Sequence, residues 1–282
     1  MYTIGLSSCG KPLNEALFAA YVAAGIEKME ISPPMGEYAT LPYEELALWA
    51  KQYGVELWSF HLPFMPFSEL DISLPSLAET TVAYLRRLID KGAAIGIKKF
   101  ILHPSGEPIA EEERPMRMAC AKESLATLAE VAKSYGAVIA VENLPRTCLG
   151  RNVTDMEELL SAHEDLRMVF DTNHLLGGDP MEMIRRMGDK IVTLHVSDYD
   201  FVNERHWLPG EGKLDWQEIL RALEEIGYAG PWLYEIGFAC PNSILRDRSL
   251  TCEDFVANAK ALFARQTPPI LSRPKPNLGF WD

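Results

Sequence analysis

The sequence lacks a long apolar segment, a basic excess and a paired-cysteine motif. No apolar run approaches the 18 residues that a membrane-spanning helix needs, and the chain goes straight into the strand-like Tyr2–Leu6 without a charged leader. We therefore expect neither a membrane span nor a signal peptide. The five cysteines are scattered, odd in number and form no C-x-x-C pair, which is typical of reduced thiols in a cytoplasmic protein. The 40 acidic residues outnumber the 27 basic ones, a formal net charge of −13, which weighs against nucleic-acid binding by bulk charge.

One strand–helix unit repeats along the chain with no second pattern. Eight strand patterns alternate with eight helix patterns, and six of the seven helix-to-strand junctions carry a glycine that can adopt the left-handed conformation at a helix end. These glycines are Gly25, Gly54, Gly96, Gly136, Gly188 and Gly227. The repetition predicts an α/β protein with a single (β/α)8 TIM barrel over residues 1–264. A doubly wound open sheet is the alternative, but no G-x-G-x-x-G follows the first strand.

The residues after Ala264 cannot form a helix, because Pro268-Pro269 and Arg273-Pro274-Lys275-Pro276 interrupt them. We expect residues 265–282 to be a Pro-rich C-terminal arm, either lying on the surface or disordered. Within the barrel, capping patterns predict where helices begin. They are Ser76-Leu77-Ala78-Glu79, Thr154-Asp155-Met156-Glu157, Asp215 and Thr251-Cys252-Glu253-Asp254.

Five apolar strands each end on a side chain that commonly binds metals. The strand ends are His103, Glu142, Asp171, His195 and Glu235, and His61 ends the third strand in the same way. Two further histidines lie nearby, His174 three residues past Asp171 and His206 in the loop after the seventh strand. A buried carboxylate needs a partner, and barrel strands all end on one face, so we expect these groups to converge. Taken singly, each would be an ordinary hydrogen-bonded side chain; taken together, they predict a shared site.

The chain resembles the xylose-isomerase-like barrel superfamily over residues 1 to about 264. The resemblance rests on Val141-Glu142-Asn143, Phe170-Asp171-Thr172-Asn173-His174, Leu194-His195-Val196-Ser197-Asp198, Pro209-Gly210-Glu211-Gly212, Asp215-Trp216, Gly227-Tyr228-Ala229-Gly230-Pro231 and Tyr234-Glu235-Ile236. That superfamily holds sugar epimerases and isomerases, and also abasic-site nucleases of the endonuclease IV type.

The resemblance implies a site residue by residue. Glu142, Asp171, His195 and Glu235 match the single metal site of the ketose epimerases, in which the two glutamates also form the acid/base pair. His174 matches a substrate-binding histidine. His61 and His103 match extra histidines of the nuclease branch, and Glu204-Arg205-His206 stands where that branch has Asp-Arg-His. The mixed oxygen and nitrogen ligands suit Mn²⁺, Mg²⁺, Co²⁺ or Zn²⁺, and the extra histidines favour Zn²⁺ or Mn²⁺.

Three hypotheses for the function stay open. The first is a cytoplasmic, metal-dependent sugar or sugar phosphate isomerase or epimerase that works through an enediolate, with no nucleic-acid or membrane partner and with the oligomeric state open. The second is an endonuclease IV-like zinc phosphodiesterase on abasic DNA, and the third is a sugar-binding barrel without turnover. Under the first hypothesis, the substrate-binding residues are His61, His103, His174, His206, Arg146 and Arg205, and an apolar wall comprises Trp58, Phe60, Phe64 and Phe67.

Overall fold

The predicted (β/α)8 barrel is confirmed in a computed structural model, which describes residues 1–64 and 69–281. Its parallel strands are β1 (Ile4–Ser7), β2 (Lys28–Ile31), β3 (Glu56–His61), β4 (Lys99–Leu102), β5 (Val138–Glu142), β6 (Arg167–Asp171), β7 (Ile191–His195) and β8 (Trp232–Tyr234). The hydrogen-bonded order is β7-β6-β5-β4-β3-β2-β1-β8. The ring closes just past β7, where the Val196 amide donates to the Leu233 carbonyl at 2.8 Å. This closure rules out the open-sheet alternative.

Helices cover the outside of the ring. They are α1 (Glu15–Ala24), α2 (Tyr43–Tyr53), α3 (Ala78–Ala94), α4 (Arg114–Ser134), α5 (Val153–Leu160), α6 (Pro180–Met187), α7 (Trp216–Glu225) and α8 (Cys252–Phe263). The main core lies between these helices and the strands, whereas Ile101, Ala140 and Val169 form a separate small buried cluster. Since side chains alternate along a strand, β4, β5 and β6 contribute residues to both clusters. Among the described residues, no helix combines the length and apolarity needed to cross a membrane.

The capping predictions hold for the last two helices and fail for two earlier ones. Thr251 forms a capping box with Asp254, and Asp215 accepts hydrogen bonds from the amides at the start of α7. The box predicted at Thr154 is wrong, because Asn152 caps α5 by accepting from the Asp155 amide. The box predicted at Ser76 is also wrong. There the Leu77 and Ala78 amides donate to the Leu74 carbonyl, so a backbone turn leads into α3 and replaces the side-chain cap.

Gly188 differs from the other five junction glycines, which all have positive φ. Its φ is −41°, and it opens a short 3₁₀ helix, Gly188–Lys190. The left-handed conformation predicted for Gly188 is therefore wrong. A side chain at this position would place its Cβ 3.0 Å from Ile226 Cγ2. Close packing, and not the backbone conformation, therefore favours glycine at position 188.

A buried lysine joins the first and last strands. The Lys11 ammonium donates to the Ser7 carbonyl at 2.8 Å and to the Cys9 carbonyl at 3.1 Å, on the chain leaving β1. It also donates to the Ile236 carbonyl, just past β8, at 2.7 Å. These three acceptors compensate the buried charge and fix the two strand ends against each other.

The C-terminal residues lie across the loops that follow β7 and β8. Strand β10 (Arg273–Pro274) pairs antiparallel with β9 (Ile244–Leu245). Further along the tail, the side-chain Nδ2 of Asn203 donates to the Phe280 carbonyl at 2.7 Å, and Arg205 Nη2 donates to the Gly279 carbonyl at 2.9 Å. The tail thus contacts the loop that carries Glu204 and His206.

Candidate metal and active site

Acidic and histidine side chains meet at the C-terminal end of the barrel. Glu30, His61, Glu142, Asp171 and His195 lie within strands, while His103 and Glu235 directly follow β4 and β8. Asp171 is held in place by Asn143, whose side chain accepts from the Asp171 amide at 2.8 Å and donates to its carbonyl at 2.9 Å. A side-chain amide therefore extends the pairing of β5 and β6 to the point where the carboxylates begin.

The four predicted metal ligands form one compact group. One ligand atom from each of Glu142, Asp171, His195 and Glu235 lies within 4.8 Å of the others. His195 Nδ1 is at the centre, 3.2 Å from Glu142 Oε1, 3.4 Å from Glu235 Oε2 and 3.8 Å from Asp171 Oδ2. Three carboxylates and one imidazole nitrogen make a ligand set that suits a divalent cation.

Two oxygens of this group show that a cation would fit. Glu142 Oε2 and Asp171 Oδ2 are buried and accept no hydrogen bond from the described residues. A buried carboxylate oxygen without a donor is unfavourable, and coordination to a metal removes that cost. The residues present therefore fit a divalent metal at this position.

The crowding of negative charge also shifts the pKa values in the group. Burial raises the pKa of the Asp171 carboxyl, and Glu142 and Glu235 raise it further against the opposing charge of His174, to about 7. Burial lowers the pKa of His61, but the neighbouring carboxylate of Glu142 outweighs this and raises the pKa to about 9. Protons and histidine charges thus offset the carboxylates, as a divalent cation would do more fully.

Two histidine groups flank the four-ligand group. They are His61, His103 and Glu142 on one side, and His174, Glu204 and His206 on the other. His61 Nε2 and His103 Nε2 each lie 3.3 Å from Glu142 Oε2, and His174 Nε2 lies 3.0 Å from Glu204 Oε2. Each group offers three ligand atoms, so the structure brings together all of the strand-end histidines that the sequence singled out.

A cavity of about 240 Å³ opens above these groups. His61, His103, His174, His206, Glu142 and Glu235 line it together with Phe64. The Phe64 ring lies 3.9 Å from the His103 ring, centroid to centroid. Of the other predicted wall residues that the structure describes, Trp58 and Phe60 do not line the cavity. Phe60 packs against Phe100 in the helix-side core, Trp58 stacks with Lys99 at the strand starts, and Phe67 lies outside the described residues.

The two predicted arginines lie in different places. Arg146 lines the cavity, where its guanidinium binds Glu107, Asn203 and Glu204. Arg205 does not line the cavity, since its Nε donates to Asp200 Oδ2 at 2.9 Å and its Nη2 donates to the C-terminal tail. Glu107 is a cavity residue that the sequence analysis did not single out.

Glu30 is a fully buried acidic residue of the site that the sequence analysis missed. It is fully buried on β2, accepts from Ser59 Oγ at 2.8 Å and lies 3.0 Å from His195 Nε2. Glu30 can accept a proton carried on Nε2, and Nδ1, which faces the other carboxylates, would then be the nitrogen that binds a metal. The sequence does place an acidic residue inside the short strand Lys28–Ile31. Because Ile31 follows Glu30, Glu30 does not end its strand and does not match the strand-end pattern of the other site residues.

Replacing Glu30 with glutamine should weaken divalent-metal binding by about 10- to 100-fold, because His195 loses the carboxylate that orients it. Titration calorimetry with Mn²⁺ on the wild type and the variant measures this directly. Glu56→Gln is the matched control, since Glu56 pairs with Lys28 at the outer end of β3 and should leave affinity unchanged. Equal Mn²⁺ affinity in Glu30→Gln and the wild type would refute the positioning role.

The fold and these groups define the class of protein. A family model described as xylose isomerase-like TIM barrel matches residues 18–245. The chain belongs to this family, which confirms the resemblance seen in the sequence.

Individual relatives share parts of the chain. An uncharacterised protein of Methanocaldococcus jannaschii is 27% identical over 188 residues, 64% of each chain. Fructoselysine 3-epimerase of Escherichia coli O157:H7 is 29% identical over 114 residues, 38% of this chain and 42% of the relative. The matches therefore span less than two thirds of either relative. The crystal structure of a D-tagatose 3-epimerase-like protein superposes with a TM-score of 0.74 at 23% identity, covering 84% of this chain and 91% of that one, and shows the same fold.

Proposed function

We propose that the protein is a divalent-metal-dependent sugar isomerase or epimerase in which Glu142 and Glu235 move the proton. The observation that carries this proposal is the convergence of four ligand-type side chains beneath a small cavity. Relatives named fructoselysine 3-epimerase and D-psicose 3-epimerase support a ketose as the substrate class.

Glu142, Asp171, His195 and Glu235 would hold the ion. A divalent cation there supplies positive charge that polarises a substrate carbonyl and acidifies the neighbouring C–H bond. Glu142 comes from β5 and Glu235 follows β8, so the two carboxylates reach the cavity from different parts of the ring. Each has a second oxygen, and one carboxylate can accept a proton from one face of a sugar while the other donates to the opposite face.

The histidines would orient the sugar. His61, His103 and His174 line the cavity, where an imidazole N–H would donate to hydroxyls and to the oxygen that becomes negative in an enediolate. Phe64 supplies an apolar surface beside His103. These contacts would hold the substrate carbon near the glutamates and exclude bulk water.

Metal analysis of the purified protein, followed by a panel of ketoses in D₂O, tests this function. We expect a divalent metal bound to the chain and deuterium uptake at the carbon next to the carbonyl of at least one ketose. Uptake by none of the ketoses at saturating Mn²⁺ would contradict the proposal and favour a sugar-binding barrel without turnover.

The flanking histidine groups favour a second candidate, a zinc phosphodiesterase on abasic DNA. They offer ligands for further metals beside the four-ligand group, as the resemblance to the endonuclease IV type implies. The charge balance opposes it, because the chain carries a formal −13 and the arginine at the cavity is paired with two carboxylates.

We therefore expect no incision of a duplex with one abasic site at physiological salt, because the phosphate backbone would approach a negatively charged protein. A gel assay of strand cleavage with Zn²⁺-loaded protein measures this, and Glu142→Gln is the control for a contaminating nuclease. Incision by the wild type that disappears in Glu142→Gln would overturn the prediction and promote the second candidate.

A further inference from the structure

The described cavity lining contains one arginine and no lysine, and carboxylates already bind that arginine. Within residues 1–64 and 69–281, Arg146 is the one lysine or arginine in the cavity lining. Its Nε donates to the two carboxylate oxygens of Glu107 at 2.9 and 3.0 Å, and its Nη2 donates to Glu107 as well. Its Nη1 donates to Asn203 Oδ1 at 2.8 Å and to Glu204. One guanidinium group therefore binds two carboxylates at the wall of the cavity, and Glu204 also lies 3.0 Å from His174 Nε2.

The surrounding chain holds this cluster in place. Arg146 has a φ of 52°, in the left-handed region that a residue with a side chain adopts only when its neighbours enforce it. The Ile109 amide donates to Thr147 Oγ1 at 3.1 Å, which ties the Glu107 loop to the Arg146 loop. The guanidinium carbon lies over the Trp281 ring, 5.5 Å from the ring centroid. Arg146 and Glu107 are each only 15% exposed, so their pairing is well shielded from water.

We propose that the cavity accepts an uncharged sugar and discriminates against its phosphorylated form, with Glu107 and Glu204 as the specificity-determining residues. This inference deepens the function proposed above and rests on it for the substrate class. Proteins commonly bind phosphate through the bidentate fork of an arginine, and Glu107 occupies that fork here. A phosphate group would either face two carboxylates or separate a shielded ion pair, and both are unfavourable.

Calorimetric titration of inorganic phosphate into the full chain as purified tests the inference without requiring turnover. Glu107→Gln removes one carboxylate and releases the fork, so it should bind phosphate at least about tenfold more tightly than the wild type. The double variant Glu107→Gln/Arg146→Gln should return to the weak binding of the wild type. Glu111→Gln is the matched control, because Glu111 makes the same kind of pair with Arg151, is 69% exposed and lies outside the cavity lining.

Equal phosphate affinity in the wild type and in folded Glu107→Gln would overturn the inference. If thermal melting shows that Glu107→Gln does not fold, the wild type is compared with Arg146→Gln instead. Equal, weak phosphate binding by these two supports the inference, whereas wild-type binding that is tenfold tighter overturns it, because the guanidinium would then be available to an anion. Absence of deuterium uptake from every ketose would count against the proposed function alone, since the phosphate comparison does not depend on catalysis.

Discussion

Glutamine at position 142 or 235 should lower the exchange of substrate hydrogen with solvent by about 10²- to 10⁴-fold, even with metal saturating, because an amide cannot accept the proton. Both carboxylates border the cavity and lie within 3.4 Å of His195 Nδ1, so one side chain can serve as ligand and proton carrier. Deuterium uptake into the best ketose of the panel, measured for each variant across an Mn²⁺ titration, separates the two roles. A pure ligand role predicts that activity returns as Mn²⁺ saturates, and a proton-transfer role predicts that it does not.

Glu225→Gln provides the control for this experiment, because Glu225 pairs with Arg185 on the protein surface. It should exchange hydrogen at the wild-type rate. Wild-type exchange by both the Glu142→Gln and Glu235→Gln variants at saturating Mn²⁺ would show that neither carboxylate carries the proton, and the proposed mechanism would have to be abandoned.

Asp171→Asn should lose at least about 100-fold in Mn²⁺ affinity, beyond the effect expected for an outer-sphere residue. The fold should survive, because the asparagine oxygen can still accept from the Asn173 amide, which lies 2.5 Å from Asp171 Oδ1. The metal-free variant should be at least as stable as the wild type, since burial and neighbouring negative charges raise the pKa of this carboxyl to about 7. Removing its charge therefore relieves repulsion when no cation is present.

Thermal melting with and without Mn²⁺ measures both effects. A ligand present at 100 times its dissociation constant stabilises the native state by about 2.7 kcal/mol, so the wild type should melt several degrees higher with metal. Asp171→Asn should show little of that increase, while the surface control Asp165→Asn, which loses a pair with Lys133, should retain it. A full Mn²⁺-dependent increase in Asp171→Asn would show that Asp171 is not a ligand.

The strand ends could be predicted because apolar runs and their final residues are local features of the sequence. The run Val138–Val141 fixes β5, and Glu142 follows at the point where every parallel strand of the barrel opens onto the same face. The same logic located Asp171 and His195. The same pattern located four further histidines, since each lies at a strand end or in the loop just beyond it.

The other features of the site depended on which face of a strand a side chain takes and on contacts between residues far apart in the sequence. Glu30 contacts His195 although their strands, β2 and β7, are not neighbours in the sheet, and no local feature of the sequence indicates this contact. Phe60 and Phe64 look equivalent in sequence, yet the alternation of β3 directs Phe60 to the helices while Phe64 lies beyond the strand. Arg146 has its partners on other loops, and Arg205 donates to the C-terminal tail as well as to nearby Asp200, so neighbouring residues alone did not predict how the two side chains are oriented.

The lysine that joins the first and last strands links residues 225 positions apart along the chain. Forming such a contact early would cost a large loop-closure entropy. The pairing of the intervening strands has to offset that cost first. Glu142, Asp171 and His195 come from three successive strands and can assemble as a local unit, whereas Glu235 follows β8, the strand that contacts both β1 and the end of β7 and closes the ring. The folding step that completes the ring therefore brings in the fourth predicted ligand. A divalent ion that uses Glu235 would bind the closed barrel more tightly than any open intermediate, and would slow its reopening.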